Sequence, residues 1–357
     1  MPLLVERGGV NHRFTGTGYT PVKHSTSPSA SRCLNIAFVN NMPDAAAEDT
    51  EMQFLGLLSG ASKKINIRVQ LYALPGVPRG ERTRSYLNQN YNQFQELLER
   101  RFDGVIVTGT EPRQPDLRQE PYWGELAAVL DWAGENTSST ILSCLAAHAG
   151  ALHSDGITRT PLDNKRFGVF EHTRLTQHSL TEGLSDPIRI PHSRWNELRE
   201  DALVSCGYEI LTKSPDAGVD FFVKQKKCSL FIHFQGHPEY GERTLLKEYR
   251  RDIKRYLRRE RETYPLVPLR YFNEDGNKLL ENFRRRAMAD RREEIAESFP
   301  ESDVAYTLQN RWLEPATRIY ANWLHNLTSK KEERPTIMAM PRVTPSKKSE
   351  SIAAAGR

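Results

Sequence analysis

STILSCLAAHAGALH, residues 139–153, joins a short apolar run rich in β-branched residues directly to a helix-forming run, with no turn residue between them. Strand therefore passes into helix at Cys144. Working outward, DGVIVTG (103–109) is a buried-type strand ending in glycine, and YWGELAAVLDWAGENT (122–137) is an amphipathic helix. Upstream, LNIAFVN (34–40) and NIRVQLYAL (66–74) have strand character. EDTEMQFLGLLS (48–59), with Met52, Leu55 and Leu58 at helical spacing, and YNQFQELLERR (91–101) read as helices. Strands alternating with helices in this way predict an α/β fold, a parallel sheet covered by helices on both faces. Downstream, GVFEH (168–172), EILTKS (209–214), VDFFVKQ (219–225) and SLFIHFQGHPEY (229–240) are expected to extend that sheet by a mixed or antiparallel section. Charged helices at Arg243–Glu262 and Gly276–Phe299 and a last helix near 304–326 form a C-terminal helical extension.

At roughly 150 residues per domain, 357 residues suffice for one large α/β domain with additions. A chain 38% hydrophobic and 27% charged is neither disordered nor collagenous. Residues 1–33 mix Gly, Pro, Ser and Thr without periodicity and read as an N-terminal arm, with the main domain at 34–327 and a charged helical insertion at about 276–300. Residues 328–357 read as a disordered basic tail: from Ser329 on, seven Lys/Arg and three Glu place +4 of the net +5 there, leaving the body nearly neutral. The run KEYRRDIKRYLRRERE (247–262) interleaves its cations with Glu248, Asp252, Glu260 and Glu262 at helical spacings, which reads as a solvated helix face, with an anion-binding surface as the alternative. Nucleic acid is not an expected partner, since no finger, basic heptad or helix-turn-helix pattern occurs. Neither is a membrane, since no run approaches ~18 apolar residues. Met1–Gly16 lacks the apolar core of a secretory signal, and Cys33, Cys144, Cys206 and Cys228 show no CxxC spacing. A cytoplasmic protein with free thiols is expected.

In an open α/β sheet, ligands bind beyond the carboxyl ends of the strands, and there the chemistry-bearing residues collect. Cys144 sits at one such end, on an elbow where the helix N-terminus favours a thiolate. His237 and Glu239 sit just beyond another, after a glycine turn. A thiol nucleophile needs a base and a group to orient that base, and His-Pro-Glu can supply both. The amides of Leu145 and of Thr110, after Gly109, are candidates for an oxyanion hole. Cys144 and His148, four apart on a helix, could alternatively ligate a metal, but no second pair is spaced to complete the site, and no metal is expected. Cys33, Cys206 and Cys228 are read as structural.

The Cys elbow and the GHPE turn resemble the class I glutamine amidotransferase-like fold. Further stretches narrow the match to the homoserine O-acyltransferases of methionine biosynthesis, the O-succinyl and O-acetyl transferases. They are NMPDAAAEDTEMQFLGLL (41–58), FDGVIVTG (102–109), PHSRW (191–195), GHPEYGERTLLKEYRRD (236–252) and ANWL (321–324), together with YW, STILSC and GVFEH. The resemblance spans roughly residues 34–326. It implies a flavodoxin-like sheet and a ping-pong reaction in which Cys144 takes the acyl group from acyl-CoA as a thioester. His237 then deprotonates the homoserine hydroxyl while Glu239 orients it. It also implies substrate contacts at Lys165, Ser193, Arg194 and Arg251, with Glu248 beside them.

The chain departs from the family pattern in two loops. The lysine pair after MP is replaced by Asp44 and Ala45, and the loop that follows acyl-donor identity reads TEPRQPD. There an ungapped count places Arg113 at the discriminating position, with Glu111 two residues earlier. Arg113 would suit a succinyl carboxylate, and Glu111 would favour acetyl. The expected co-substrate is therefore succinyl-CoA or acetyl-CoA, with no bound cofactor, and the assembly is open between monomer and homodimer. L-serine as acceptor, glutamine amide hydrolysis by the same triad, and a regulatory protein with a relic site are the competing readings.

Overall fold

In the computed structural model, residues 3–22 and 33–333 are described. Fourteen strands are present among them: β1 (Leu4–Arg7), β2 (Val10–Phe14), β3 (Tyr19–Pro21), β4 (Cys33–Val39), β5 (Asn66–Tyr72), β6 (Gly104–Val107), β7 (Ser139–Ser143), β8 (Thr160–Arg174), β9 (Ile188–Glu197), β10 (Glu209–Ile210), β11 (Thr212–Ser214), β12 (Gly218–Val219), β13 (Phe221–Lys226) and β14 (Ser229–Phe234). The α-helices are α1 (Asp44–Ser62), α2 (Glu81–Asn90), α3 (Phe94–Glu99), α4 (Trp123–Asn136), α5 (Leu145–Asp155), α6 (Glu200–Ser205), α7 (Thr244–Leu257), α8 (Glu274–Ala289), α9 (Glu301–Ala305) and α10 (Leu313–Glu333). Ten strands form one sheet in the order β10-β13-β14-β7-β6-β4-β5-β1-β2-β3, and four form a second in the order β12-β11-β8-β9.

The centre of the large sheet is parallel: β14 pairs with β7, β7 with β6, β6 with β4 and β4 with β5, all in parallel register. Strands buried on both faces need apolar residues at successive positions. In β4, Ile36 and Phe38 pack toward α1 and α10, while Ala37 and Val39 pack toward the opposite face with Leu126 and Leu130 of α4. The fold is thus the mostly parallel, doubly covered α/β architecture expected. α10 closes one face with Tyr320, Trp323 and Leu327, all nearly inaccessible.

Four expectations need correction. Residues 3–21 are not a free arm. β1 pairs in parallel with β5 and antiparallel with β2, and Leu3, Val5 and Phe14 join the core. The hairpin turns at Gly8–Gly9, both at positive φ (54° and 76°), a two-residue turn that glycine alone adopts without strain. Its strands are polar because their remaining side chains face solvent or the buried carboxylate of Glu51, which receives Arg7, Tyr19, Tyr86 and Tyr91. Next, GVFEH does not extend the main sheet. It lies in β8, and PHSRW lies in its partner β9, so the late strands divide between two sheets. The helix proposed over 276–299 ends at Ala289, and residues 293–298 form a separate 3-10 turn, the two packing Leu280, Phe283 and Ala296 against α7. Finally, the last helix continues to Glu333, where Lys331 binds Asp103 at 2.7 Å, so the proposed tail does not begin at 328. Residues 334–357 of that proposal lie outside the described residues. Among the described residues, no helix is long and apolar enough to cross a membrane.

Gly168 shows how tightly the second sheet is held. It sits at φ +142°, and Leu269 pairs beside it, donating to Phe167 O at 2.9 Å and accepting from Val169 N at 2.8 Å. A Cβ there would lie 2.3 Å from Leu269 N and 2.4 Å from Leu269 O. Backbone cannot withdraw as a flexible side chain can, and the φ disfavours any L-residue. Gly168→Ala is therefore expected to destabilise the protein by about 2–4 kcal/mol, read as a lower midpoint in urea unfolding.

Candidate active site

β7 and β14 are adjacent parallel strands whose last pair in register is Ser143 with Phe234, so the segments leaving them emerge side by side. At Ser143 the chain turns into α5 through Cys144, which adopts φ 53° and ψ −113°. That non-glycine positive φ is the strained elbow that lifts a nucleophile above the sheet end. The Cys144 amide donates to Phe234 O at 2.8 Å, which ties the elbow to β14 and leaves the Leu145 amide as the first free N–H of α5. From β14 the chain turns at Gly236 and presents His237, whose amide donates to Pro191 O at 2.8 Å.

His237 stands close enough to Cys144 to feel its charge, and its Nδ1 is 2.8 Å from Glu239 Oε1. Ser143 Oγ donates to the same carboxylate oxygen at 3.2 Å. His237 and Glu239 are both more than nine-tenths buried. Burial pulls the imidazole pKa down, but the Cys144 charge, the Glu239 charge and the hydrogen bonds to both outweigh it and hold it well above the ordinary histidine value. The proton therefore stays on His237 at neutral pH. The Tyr240 ring stacks on His237 at 4.1 Å, and its hydroxyl donates to Glu248 Oε1 at 2.7 Å. Burial and Glu248 keep that phenol protonated.

Through Tyr240 the triad meets the other expected contacts. Ser193 Oγ donates to Glu248 Oε2, and Lys165 Nζ lies 3.5 Å from Glu248 and 3.3 Å from Asp252. Lys165 comes from the irregular stretch of β8 and Ser193 from β9, so the second sheet delivers them while α7 delivers Glu248 and Arg251. Arg251 is half-exposed, 3.4 Å from Asp252 and 4.0 Å from Glu248. The structure thus brings together Cys144, His237, Glu239, Lys165, Ser193, Glu248 and Arg251.

Arg194 departs from its expected role. It is 4% exposed, and its guanidinium donates to Asn196 O at 2.7 Å, to Ala217 O and to His192 Nδ1. Those bonds occupy the fork that a carboxylate would need, so Arg194 is a buried tie between strands. Arg113 is exposed, and its backbone amide, with that of Gln114, is held by the buried carboxylate of Glu120. Glu111 is also exposed but stands 3.9 Å from Arg255. On the oxyanion side, Gly109 packs so closely on the elbow that a Cβ would be 2.9 Å from Leu145 N, which brings the Gly109–Thr110 loop against the expected donor.

Among the described residues, Cys144 and His148 belong to no group of three metal-ligating side chains. His148 is buried with Nε2 3.0 Å from Gln235 Oε1, and burial, then Arg194, push its pKa down to about 3. A different buried group, His172, His192 and Asp220, has ligand atoms within 4.8 Å of one another. Its two imidazoles stack at 5.1 Å and 20°, an arrangement that does not bring both ring planes onto one ion, and Asp220 Oδ1 accepts from Gly236 N at 2.6 Å. We read the group as a buttress under the GHPE turn. Sequence reading missed it, along with Ser143, Tyr240 and Asp252, because each acts on a neighbour rather than forming a motif of its own.

Fold and site together define an α/β protein with a Cys-His-Glu triad at the carboxyl ends of its central strands. The family model for homoserine O-succinyltransferase matches residues 20–334, and the chain belongs to that family. It is 42% identical to the homoserine O-succinyltransferase of Rhodopseudomonas palustris over 92% of this chain and 99% of that one, and 44% identical to that of Bradyrhizobium japonicum over 75% and 82%. Among solved structures, a glutamine amidotransferase from Thermotoga maritima aligns with TM-score 0.43 and 9% identity over 83% of this chain and 98% of that one.

Proposed function

We propose that this chain is an acyl-CoA-dependent homoserine O-acyltransferase of methionine biosynthesis that carries a succinyl group through a thioester on Cys144. The observation that carries the reading is the Cys144–His237–Glu239 group joined through Tyr240 to a polar cluster of Lys165, Ser193, Glu248 and Arg251. The names of the related proteins favour homoserine as acceptor and succinyl as donor.

In the first half-reaction Cys144 attacks the thioester carbonyl of the donor, the Leu145 amide and the Gly109–Thr110 loop face the developing oxyanion, and CoA departs as the thiol with the proton from His237. Acylation removes the Cys144 charge, the largest influence raising the His237 pKa. The imidazole therefore emerges as a neutral base when the acceptor hydroxyl arrives. It takes the hydroxyl proton, the alkoxide attacks the thioester, and expulsion of the Cys144 thiolate restores the starting pair. Glu239 holds the imidazole throughout with Nδ1 toward the carboxylate. Arg251 offers a guanidinium to the acceptor's carboxylate, and Glu248 with Ser193 offers acceptor groups for its ammonium.

Purified protein supplied with succinyl-CoA or acetyl-CoA and with homoserine, serine or glutamine should release CoA thiol fastest with succinyl-CoA and homoserine. Ammonia release from glutamine without thiol release would replace this reading by an amidohydrolase. Arg251→Ala should raise the KM for homoserine by about 10–100-fold, the loss of one charge-assisted contact. Acylation of Cys144 by the donor alone, followed by intact mass, should be unchanged.

A further inference from the structure

The exposed Arg113 leaves unanswered how a donor bearing a terminal carboxylate would be distinguished from acetyl. Resting on the acyltransfer reading, we infer that Arg159 binds the distal carboxylate of a dicarboxylic acyl group attached to Cys144.

A cavity of about 300 Å³ lies along the flank of α5, lined by Leu117, His148, Leu152, Thr158 and Arg159, with the 115–118 segment as its outer wall. His148 and Leu152 are one turn apart on α5, and His148 is itself one turn beyond Cys144, so the cavity begins one helical turn from the elbow. Arg159, just before β8, is half-buried, and its guanidinium is close enough to Cys144 to feel the thiolate charge and to His148 to help keep that ring neutral. Its Nη2 donates to Gln114 O at 2.9 Å and Pro115 O at 3.0 Å. Those carbonyls are fixed in turn because the buried Glu120 carboxylate holds the amides of Arg113 and Gln114. The guanidinium is therefore pre-positioned, with Nε and Nη1 left for a ligand.

Acidic neighbours do not take it. Asp116 is clamped by Arg118 at 2.9 Å, Glu120 is engaged by the turn, and among the described residues Arg159 makes no salt bridge. A half-buried cation without an ionic partner, on the wall of a cavity that begins one helical turn from the nucleophile, fits an anionic acyl terminus. The two methylenes of a succinyl group would carry its carboxylate toward Arg159, whereas an acetyl group ends at a methyl with nothing to offer a guanidinium. The donor selectivity sought at position 113 is thus placed at 159, on the other side of the same loop.

The test is the ratio of kcat/KM for succinyl-CoA and acetyl-CoA, with homoserine saturating. In Arg159→Leu the succinyl-CoA value should fall about 10–150-fold and the acetyl-CoA value should stay within about threefold, while Arg159→Lys should recover part of the succinyl-CoA value by charge without the fork. Equal losses with both donors would show that Arg159 only supports the loop, and unchanged values would show that it faces solvent in the working enzyme. Either result overturns the inference, as does a wild type that uses acetyl-CoA in preference to succinyl-CoA, which would leave acyl transfer itself intact. Absence of thiol release with every donor in the wild type would overturn the functional reading and this inference with it.

Discussion

Replacing Cys144 by Ala is expected to lower acyl transfer by roughly 10⁴–10⁶-fold, the scale seen when a covalent nucleophile is removed from a site whose binding groups remain. The fold should survive. What ties the elbow down is the Cys144 amide bonded to Phe234 O, which alanine retains, and the side chain is only partly buried. An unchanged far-UV spectrum and a thermal midpoint within a few degrees would show that the loss is chemical. Transfer at near wild-type rate by the alanine variant would remove Cys144 from the mechanism.

Glu239→Gln should produce the second largest effect, about 10²–10⁴-fold in kcat, since an amide can neither hold the imidazolium by charge nor enforce the tautomer with Nδ1–H toward residue 239. The pH profile supplies a signature that mere disruption would not. Glu239 is one of the groups raising the His237 pKa, so its removal lowers that pKa, and the alkaline limb of the donor half-reaction should move to lower pH. The sign for stability follows the same shift. A folded-state pKa above the ordinary imidazole value stabilises the protein at pH below that value, and the contribution fades as pH rises through the raised pKa. The variant should lose part of that low-pH stabilisation. A full-length pH profile superimposable on the wild type, whatever the rate, would show that Glu239 does not tune His237.

How much of this was legible in the sequence depended on whether the information was local. STILSC and the GHPE turn announce their positions because a parallel core strand is apolar at successive positions and the residue that ends it lies at the ligand crevice. Cys144, His237 and Glu239 could be picked out together as candidates from that, and the structure brings the His237 and Glu239 side chains within 2.8 Å of each other. The β1–β2 hairpin could not, since its outward residues are polar and its inward ones, Leu3, Val5 and Phe14, are too sparse to show a period. The Gly8–Gly9 pair was the available signal. Arg194 and Arg113 failed as assignments for a related reason: a guanidinium in sequence carries no indication of whether carbonyls, solvent or a ligand will satisfy it. Arg194 meets Asn196 and Ala217 carbonyls, and Arg113 faces solvent, while Arg159, in an unremarked GITRT segment, meets the Gln114 and Pro115 carbonyls on a cavity wall. Lys165 and Ser193 could be placed only through resemblance, because nothing local predicts that two strands of a second sheet will lay them against one carboxylate of α7.

The most direct test of the central claim is the mass of the protein after brief incubation with succinyl-CoA in the absence of any acceptor. One added succinyl group is expected, localised by peptide mapping to the Cys144 peptide, labile to hydroxylamine as a thioester and discharged on adding homoserine. Wild-type protein that turns over succinyl-CoA and homoserine yet never carries an acyl group on Cys144 would contradict it, since the acyl group would then pass directly from donor to acceptor.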